Sequence, residues 1–134
     1  MTEKTLVEFL AENPVNDICE DVVISERLKG FKFKIKPCSS EDFNGYCQEC
    51  RIIDKKGKKM GFNEGKFSEL MIINHTLYPD FTDAKAIKAA GCKTPREYIN
   101  RVLSAGELVA LQSKITDLSG LGEDFDELVE EVKN

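Results

Sequence analysis

The chain has no tryptophan, one histidine and only four prolines in 134 residues, and none of its apolar runs approaches the roughly twenty residues that cross a bilayer as a helix. Each scarcity excludes something. The single histidine, His75, lies on an apolar helix with no serine or cysteine beside it in a recognisable nucleophile motif, so it reads as an ordinary helical residue rather than a catalytic base. The amino terminus, MTEKTLVEFL, carries charges of both signs and lacks the apolar core and small-residue cleavage site of a secretory signal, which predicts a cytoplasmic protein with no membrane anchor. A phosphate-cradling glycine loop is also missing, because Gly57, Gly61 and Gly65 are spread through a polar connection without the lysine-serine or helix-opening context such loops need. Positive charge is in deficit: 19 Lys and Arg against 24 Asp and Glu give −5. That balance disfavours sequence-independent binding to nucleic acid, which depends on neutralising phosphates.

Five cysteines, Cys19, Cys38, Cys47, Cys50 and Cys92, are an odd number in a chain without secretory signals, so reduced thiols are expected rather than a disulfide framework. Cys47 and Cys50 make one CxxC, and with Cys38 and His75 they include the ligand types of a zinc site. A structural zinc site normally brings a second close pair, which this chain lacks. Both cysteines also share the apolar helical face of Phe43, Tyr46 and Ile53, where they act as small core residues. A thioredoxin-like redox pair would sit at a helix start after a strand, whereas these lie inside the predicted helix. Packing is preferred, no metal, cofactor or catalytic residue is assigned, and a small thiol- or metal-dependent regulator is the alternative.

What the chain does have is the composition of one globular domain, 41% hydrophobic and 32% charged. At this length such a domain buries about two-thirds of the surface its unfolded chain exposes. Periodicity predicts a short helix from Thr5 to about Glu12 with Leu6, Phe9 and Leu10 on one face, a face that must dock to something. Next comes a hairpin: Val22, Ile24 and Leu28 in one strand, and Phe31, Phe33 and Ile35 alternating with Lys32, Lys34 and Lys36 in the other, with Lys29-Gly30 between. Alternating lysines are what a half-buried strand requires on its wet face, and they discourage unwanted edge pairing.

Ser39 and Ser40 open a helix carrying Phe43, Tyr46, Cys47, Cys50 and Ile53, and the Lys55–Lys59 run around Gly57 reads as a solvated loop. After Asn63, the residues Phe67, Leu70, Met71, Ile72, Ile73 and Leu77 cover too much of a helical circumference for a surface helix, so this helix should run through the middle of the domain until Pro79 ends it. Asp80, Thr82 or Asp83 can accept from the free amides of the next helix, which closes near Ala90 and Gly91. The carboxylate pair Asp80 and Asp83 is thereby explained without catalysis. Thr94-Pro95 with Glu97, and Ser104 with Glu107, predict two further helices as an antiparallel pair. Beyond the glycine-containing hinge at residues 119–122, Phe125, Leu128, Val129 and Val132 recur at helical spacing among Glu123, Asp124, Asp126, Glu127, Glu130 and Glu131. The expected organisation is a compact, mostly helical α+β body, residues 1–122, with a short N-terminal antiparallel hairpin, and an acidic amphipathic C-terminal helical arm, residues 123–134.

The order of these signals resembles the XkdN-like tail assembly chaperones of tailed phages and tail-like prophages. The resemblance is carried by Leu6, Phe9, Leu10 and Asn13; by Phe33, Ile35, Pro37, Ser40 and Glu41; by the turn Tyr78, Pro79, Asp80 and Asp83; by Gly91; by Leu103, Gly106 and Glu107; and by the closing Lys133 and Asn134. It departs at Ala89 and Ala90, where family members tend to have a tyrosine before the helix-end glycine, and along Cys92 to Arg96. It implies a non-enzymatic chaperone of the host cytoplasm, absent from the mature virion, that transiently binds the tape measure protein and the tail tube protein. For that role the candidate partner-binding residues are Phe125, Leu128, Val129 and Val132 of the arm and Lys32 and Lys34 of the hairpin. A generic adaptor whose acidic tail docks on a basic partner remains open.

Overall fold

A computed structural model describes residues 5–121. The arm, with Phe125, Leu128, Val129 and Val132, lies outside the described residues. Within them the order is helix α1 (Leu6–Glu12), a 3-10 turn (Val15–Asp17), strands β1 (Glu20–Val22) and β2 (Phe33–Ile35), helix α2 (Ser40–Cys50), strands β3 (Arg51–Ile53) and β4 (Lys59–Phe62), helix α3 (Glu64–His75), strand β5 (Thr76–Tyr78), and helices α4 (Ala84–Ala89), α5 (Pro95–Val102) and α6 (Ala105–Leu118). This is an α+β domain. One sheet has the order β1-β2-β5, and β3 and β4 form a separate hairpin.

The helix starts fall where their capping residues put them. Ser39 accepts from the Asp42 amide, Asn63 from Lys66, Asp83 from Lys85, Thr94 from Glu97 and Ser104 from Glu107. Each satisfies an amide that the first helical turn leaves unpaired. Gly91 (φ 75°) ends α4 in the left-handed region, with its own amide on Lys88 O and the Cys92 amide on Ile87 O. Gly120 (φ 79°) repeats the arrangement after α6, with Leu121 N donating to Thr116 O. A residue with a Cβ is strained in that region, which is why glycine stands at both stops. Gly120 is thus a helix stop.

The core is built on α3. Phe67, Met71, Ile72 and His75 are buried there, packed with Cys47 and Cys50 of α2, Ile99 of α5, Leu111 and Ile115 of α6, and Phe33 and Ile35 of the sheet. Phe43 and Phe62 meet Phe67, and Phe81 sits between Phe33 and Tyr98, all with ring centroids 5.7 to 6.4 Å apart. Burying each such side chain contributes about 1.5–3 kcal/mol of transfer free energy, which makes the passage of α3 through the middle the main source of cohesion.

Four boundaries differ from the sequence expectation. Helical periodicity carries α2 on to Ile53, but the chain turns extended after Cys50. There Ile53 pairs in β3, and the lysine run becomes a hairpin tip, where Asp54 accepts from the Lys56 and Lys58 amides. Three-residue spacing from Cys50 to Ile53 fits both outcomes. Second, α3 ends at His75 rather than before Pro79, because Thr76 and Tyr78 pair with β2, leaving Leu77 on a strand. Third, the β1-β2 hairpin is antiparallel as expected, with Val22 opposite Phe33, but Ile24, Leu28 and Phe31 belong to the long connection and not to strands. Fourth, α5 and α6 are joined almost directly through Leu103 and Ser104 but are not primarily partners of each other. Both pack on α3, α6 the more extensively.

Candidate partner-binding surface

Helix α1 is held by its own ends. Thr5 Oγ1 accepts from the Glu8 amide, and the Asn13 side chain donates to Phe9 O. No residue of α1 is buried: Leu6, Val7, Phe9 and Leu10 are each more than half exposed. The face expected to dock therefore does not dock on the described body, and an apolar helical face this open marks an interaction surface more often than a solvated one.

A second apolar feature lies at the entry to β2. Leu28, Phe31, Lys32, Phe33, Tyr78 and Pro79 line an open groove of about 200 Å³. Phe31 and Tyr78 stand at its rim, 65% and 64% exposed. The Tyr78–Pro79 peptide is cis. Strand alternation puts Lys34 on the solvent side of β2 while Phe33 and Ile35 enter the core, and Lys32, in the connection just before β2, is exposed as well. In the sheet register Lys34 stands between Asp21 on β1 and Tyr78 on β5. Of the sequence-predicted candidates, Lys32 therefore borders the groove together with Tyr78 and Pro79.

The groove wall is fixed from behind by Glu107. Its carboxylate accepts from Arg27 Nη2 at 2.6 Å, Arg27 Nε at 3.0 Å, Ser25 Oγ at 2.6 Å and the Ser104 amide at 2.9 Å. Glu107 is buried, while Arg27 covers it from the solvent side and reaches Val102 O as well. Hydrogen bonds from Arg27 first, then from the Ser104 amide and Ser25, hold the Glu107 carboxyl down to about 2. The same pairing raises the Arg27 guanidinium above its ordinary value. Ser25 also accepts from the Leu28 amide, so one carboxylate caps α6 and pins the connection that carries Leu28 and Phe31. The sequence identifies the capping box but not the partners 80 and 82 residues away.

The remaining family-motif residues are local. Asp80 Oδ1 accepts from the Thr82 amide and hydroxyl, which lower its pKa, the hydroxyl first, and Asp83 caps α4. Between them Phe81 anchors the turn in the core, a role that periodicity misses because Phe81 lies outside any regular element. Gly106 has a helical backbone and open space where a Cβ would be.

His75 is buried with both ring nitrogens hydrogen-bonded, Nδ1 to Pro37 O at 3.1 Å and Nε2 to Tyr46 Oη at 2.9 Å. A carbonyl only accepts, so Nδ1 carries the proton and Nε2 accepts from the tyrosine hydroxyl. Burial pushes the His75 pKa down and the Tyr46 pKa up, keeping both neutral. Burial likewise pushes the Cys38 thiol up to about 12 and raises Cys50. These are the properties of inert core thiols. Among the described residues no group of three His, Cys, Asp or Glu is placed to hold a metal, and no helix is long and apolar enough to cross a membrane.

The sequence profile of the phage XkdN-like tail assembly chaperones matches residues 6–133. The chain belongs to that family. Among curated proteins it is 28% identical over 106 residues to the phage-like element PBSX protein XkdN of Bacillus subtilis (strain 168), covering 76% of this chain and 72% of the relative. Among solved structures the protein yqbn superimposes with a TM-score of 0.61 at 18% identity, over 89% of this chain and 98% of that one. That likeness supports the shared fold. Among the described residues, then, the conspicuous features of this family member are an exposed apolar helix, α1, and a lysine-edged apolar groove.

Proposed function

We propose that this protein is a non-enzymatic tail assembly chaperone that transiently covers apolar surface on the tape measure protein, with the tail tube protein as a second partner, in the host cytoplasm and without remaining in the finished virion. The observation that carries this reading is the apolar surface left open on a protein of a tail assembly chaperone family: Leu6, Phe9 and Leu10 of α1, and the groove of Phe31, Tyr78 and Pro79. A long helical partner exposes apolar stripes before a tube closes around it, and covering them with helix faces and grooves suppresses self-association. Lys32 and Lys34 supply charge beside the groove, and Phe125, Leu128, Val129 and Val132, outside the described residues, are the second candidate contact on sequence grounds. A negative net charge argues against nucleic acid as the partner.

Co-expression with the tape measure protein tests the proposal. The partner should co-purify with the intact chain and remain in the soluble fraction, and Phe9→Ser combined with Phe31→Ser should release it while the domain stays folded. Recovery of equal amounts of partner with the double variant would remove these surfaces from the interface.

A further inference from the structure

Two elements of the fold are left uncovered, and their charges are opposite. Every residue of β3 is exposed, so neither face of that strand lies on the core, and the β3-β4 hairpin is anchored at its base, where the Phe62 ring packs on Phe67. Its exposed apolar side chains are Ile52, Ile53 and Met60, 50%, 56% and 70% accessible. A two-stranded hairpin is marginal alone in water, and so is a helix of seven residues with none buried, which describes α1. Phe9 and Leu10 of α1 and Ile18 just after it are exposed as well. Each element gains stability from a surface laid against it.

The net charge of −5 is distributed unevenly between them. Between residues 5 and 26 there is no lysine or arginine, and Glu8, Asp17 and Glu20 are exposed there. Between residues 51 and 62 the one acid is Asp54, whose carboxylate accepts from the Lys56 and Lys58 amides, while Arg51, Lys55, Lys56 and Lys58 stand exposed around it. Near the groove, by contrast, positive charge is answered locally: Lys34 is opposite Asp21, and Lys29 pairs with Glu26. The acidic apolar stretch and the basic apolar hairpin are both exposed in the same molecule, so neither covers the other within one chain. A second copy can cover both.

We infer that in the free protein residues 6–20 of one copy pack on the β3-β4 hairpin of a second copy. The two patches differ, so the contact is heterologous: each copy offers one patch of each kind, and copies add head to tail until a ring closes or the row runs on. Opposed charge sets the orientation, and the apolar side chains supply the buried surface. The α1 face is also one proposed above for a tail protein, so such a partner competes with the self-contact. The inference does not rest on that partner and is measured without it.

The experiment is sedimentation velocity on the full-length protein over a range of protein and salt concentrations. At low salt the average mass should rise above the 15.1 kDa of one chain as protein concentration increases, and it should fall as salt screens the opposed charges. Lys55→Glu with Lys56→Glu and Lys58→Glu should weaken association by about tenfold or more, and so should Asp17→Lys with Glu20→Lys. All five positions are exposed, and thermal unfolding checks that each variant is folded. An equimolar mixture of the two variants should associate although neither does alone, because the unaltered hairpin of one then meets the unaltered stretch of the other. Glu127→Lys with Glu130→Lys should change nothing. A wild-type protein that stays monomeric at low salt would overturn the inference, as would association indifferent to both reversals or a mixture that remains monomeric. Association lost through Glu127 and Glu130 would give the hairpin to the residues after 122 and overturn it equally.

Discussion

Arg27 Nη2 lies 2.6 Å from Glu107 Oε1, joining the connection that follows β1 to the first turn of α6 across 80 residues of sequence. That ion pair is where the fold and the candidate surface are coupled, since the same carboxylate is hydrogen-bonded to Ser25 and to the Ser104 amide. It makes the groove wall sensitive to acid. The Glu107 carboxyl ordinarily titrates at 4.5 and is held down to about 2 in the fold, so the unfolded chain binds the proton more readily. Its stabilising contribution is complete above pH 4.5 and is lost as the pH falls toward 2. Glu107→Gln should therefore be less stable than wild type at pH 6, and the gap in thermal unfolding should close between pH 4.5 and 2. A gap that stays constant across that window would mean that the carboxylate is not held by these partners.

Ser104→Ala removes the other half of the capping box. Loss of an N-cap costs about 0.5–2 kcal/mol, and denaturant unfolding should show a lower midpoint with an unchanged slope. Gly106, two residues on, is expected to behave oppositely. With a helical backbone and open space at its Cβ position, Gly106→Ala should be neutral or stabilising by up to about 1 kcal/mol. A large destabilisation there would reveal a packing constraint that the geometry does not contain.

Met71 is fully buried on α3, whereas Leu70 beside it is partly exposed. Met71→Ala should cost about 2–5 kcal/mol through lost contacts and a residual cavity, and Leu70→Ala should cost less. Equal losses would show that α3 faces its neighbours in a different rotation.

Thiol titration separates packing from chemistry. Cys19 is exposed, while Cys38, Cys47, Cys50 and Cys92 are buried. One thiol should react quickly with an aromatic disulfide under native conditions and four slowly, with all five equal after unfolding. Stoichiometric zinc in the purified protein, lost on Cys47→Ser, would restore the metal-dependent alternative.

Punctuation made most of the helical fold legible. Ser39, Asn63, Asp83, Thr94, Ser104 and Gly91 act locally, through hydrogen bonds to amides or carbonyls within a few residues, and the elements begin or end where these residues stand. Long-range pairing was illegible. Ile53 and Thr76–Tyr78 become strands because β4 and β2 are available to pair with them, and helical spacing gives no sign of either partner. The groove is hidden for the same reason: alternation puts Phe31 and Lys32 on a strand and the proline puts Tyr78 and Pro79 at a helix end, and only tertiary structure brings them together. Nor does the amphipathicity of Leu6, Phe9 and Leu10 tell whether that face meets the chain's own core or a partner; in the fold it does not meet the core.

The central claim is that the open apolar surface receives a tail protein. The most direct measurement is co-purification of the co-expressed tape measure protein with three forms of the chain: intact, truncated after residue 122, and carrying Phe9→Ser with Phe31→Ser, each first shown to unfold cooperatively. Retention by the intact chain, with loss of the partner from the folded double variant, is the predicted result. Undiminished recovery with both altered forms, or no recovery with the intact chain, would contradict the account.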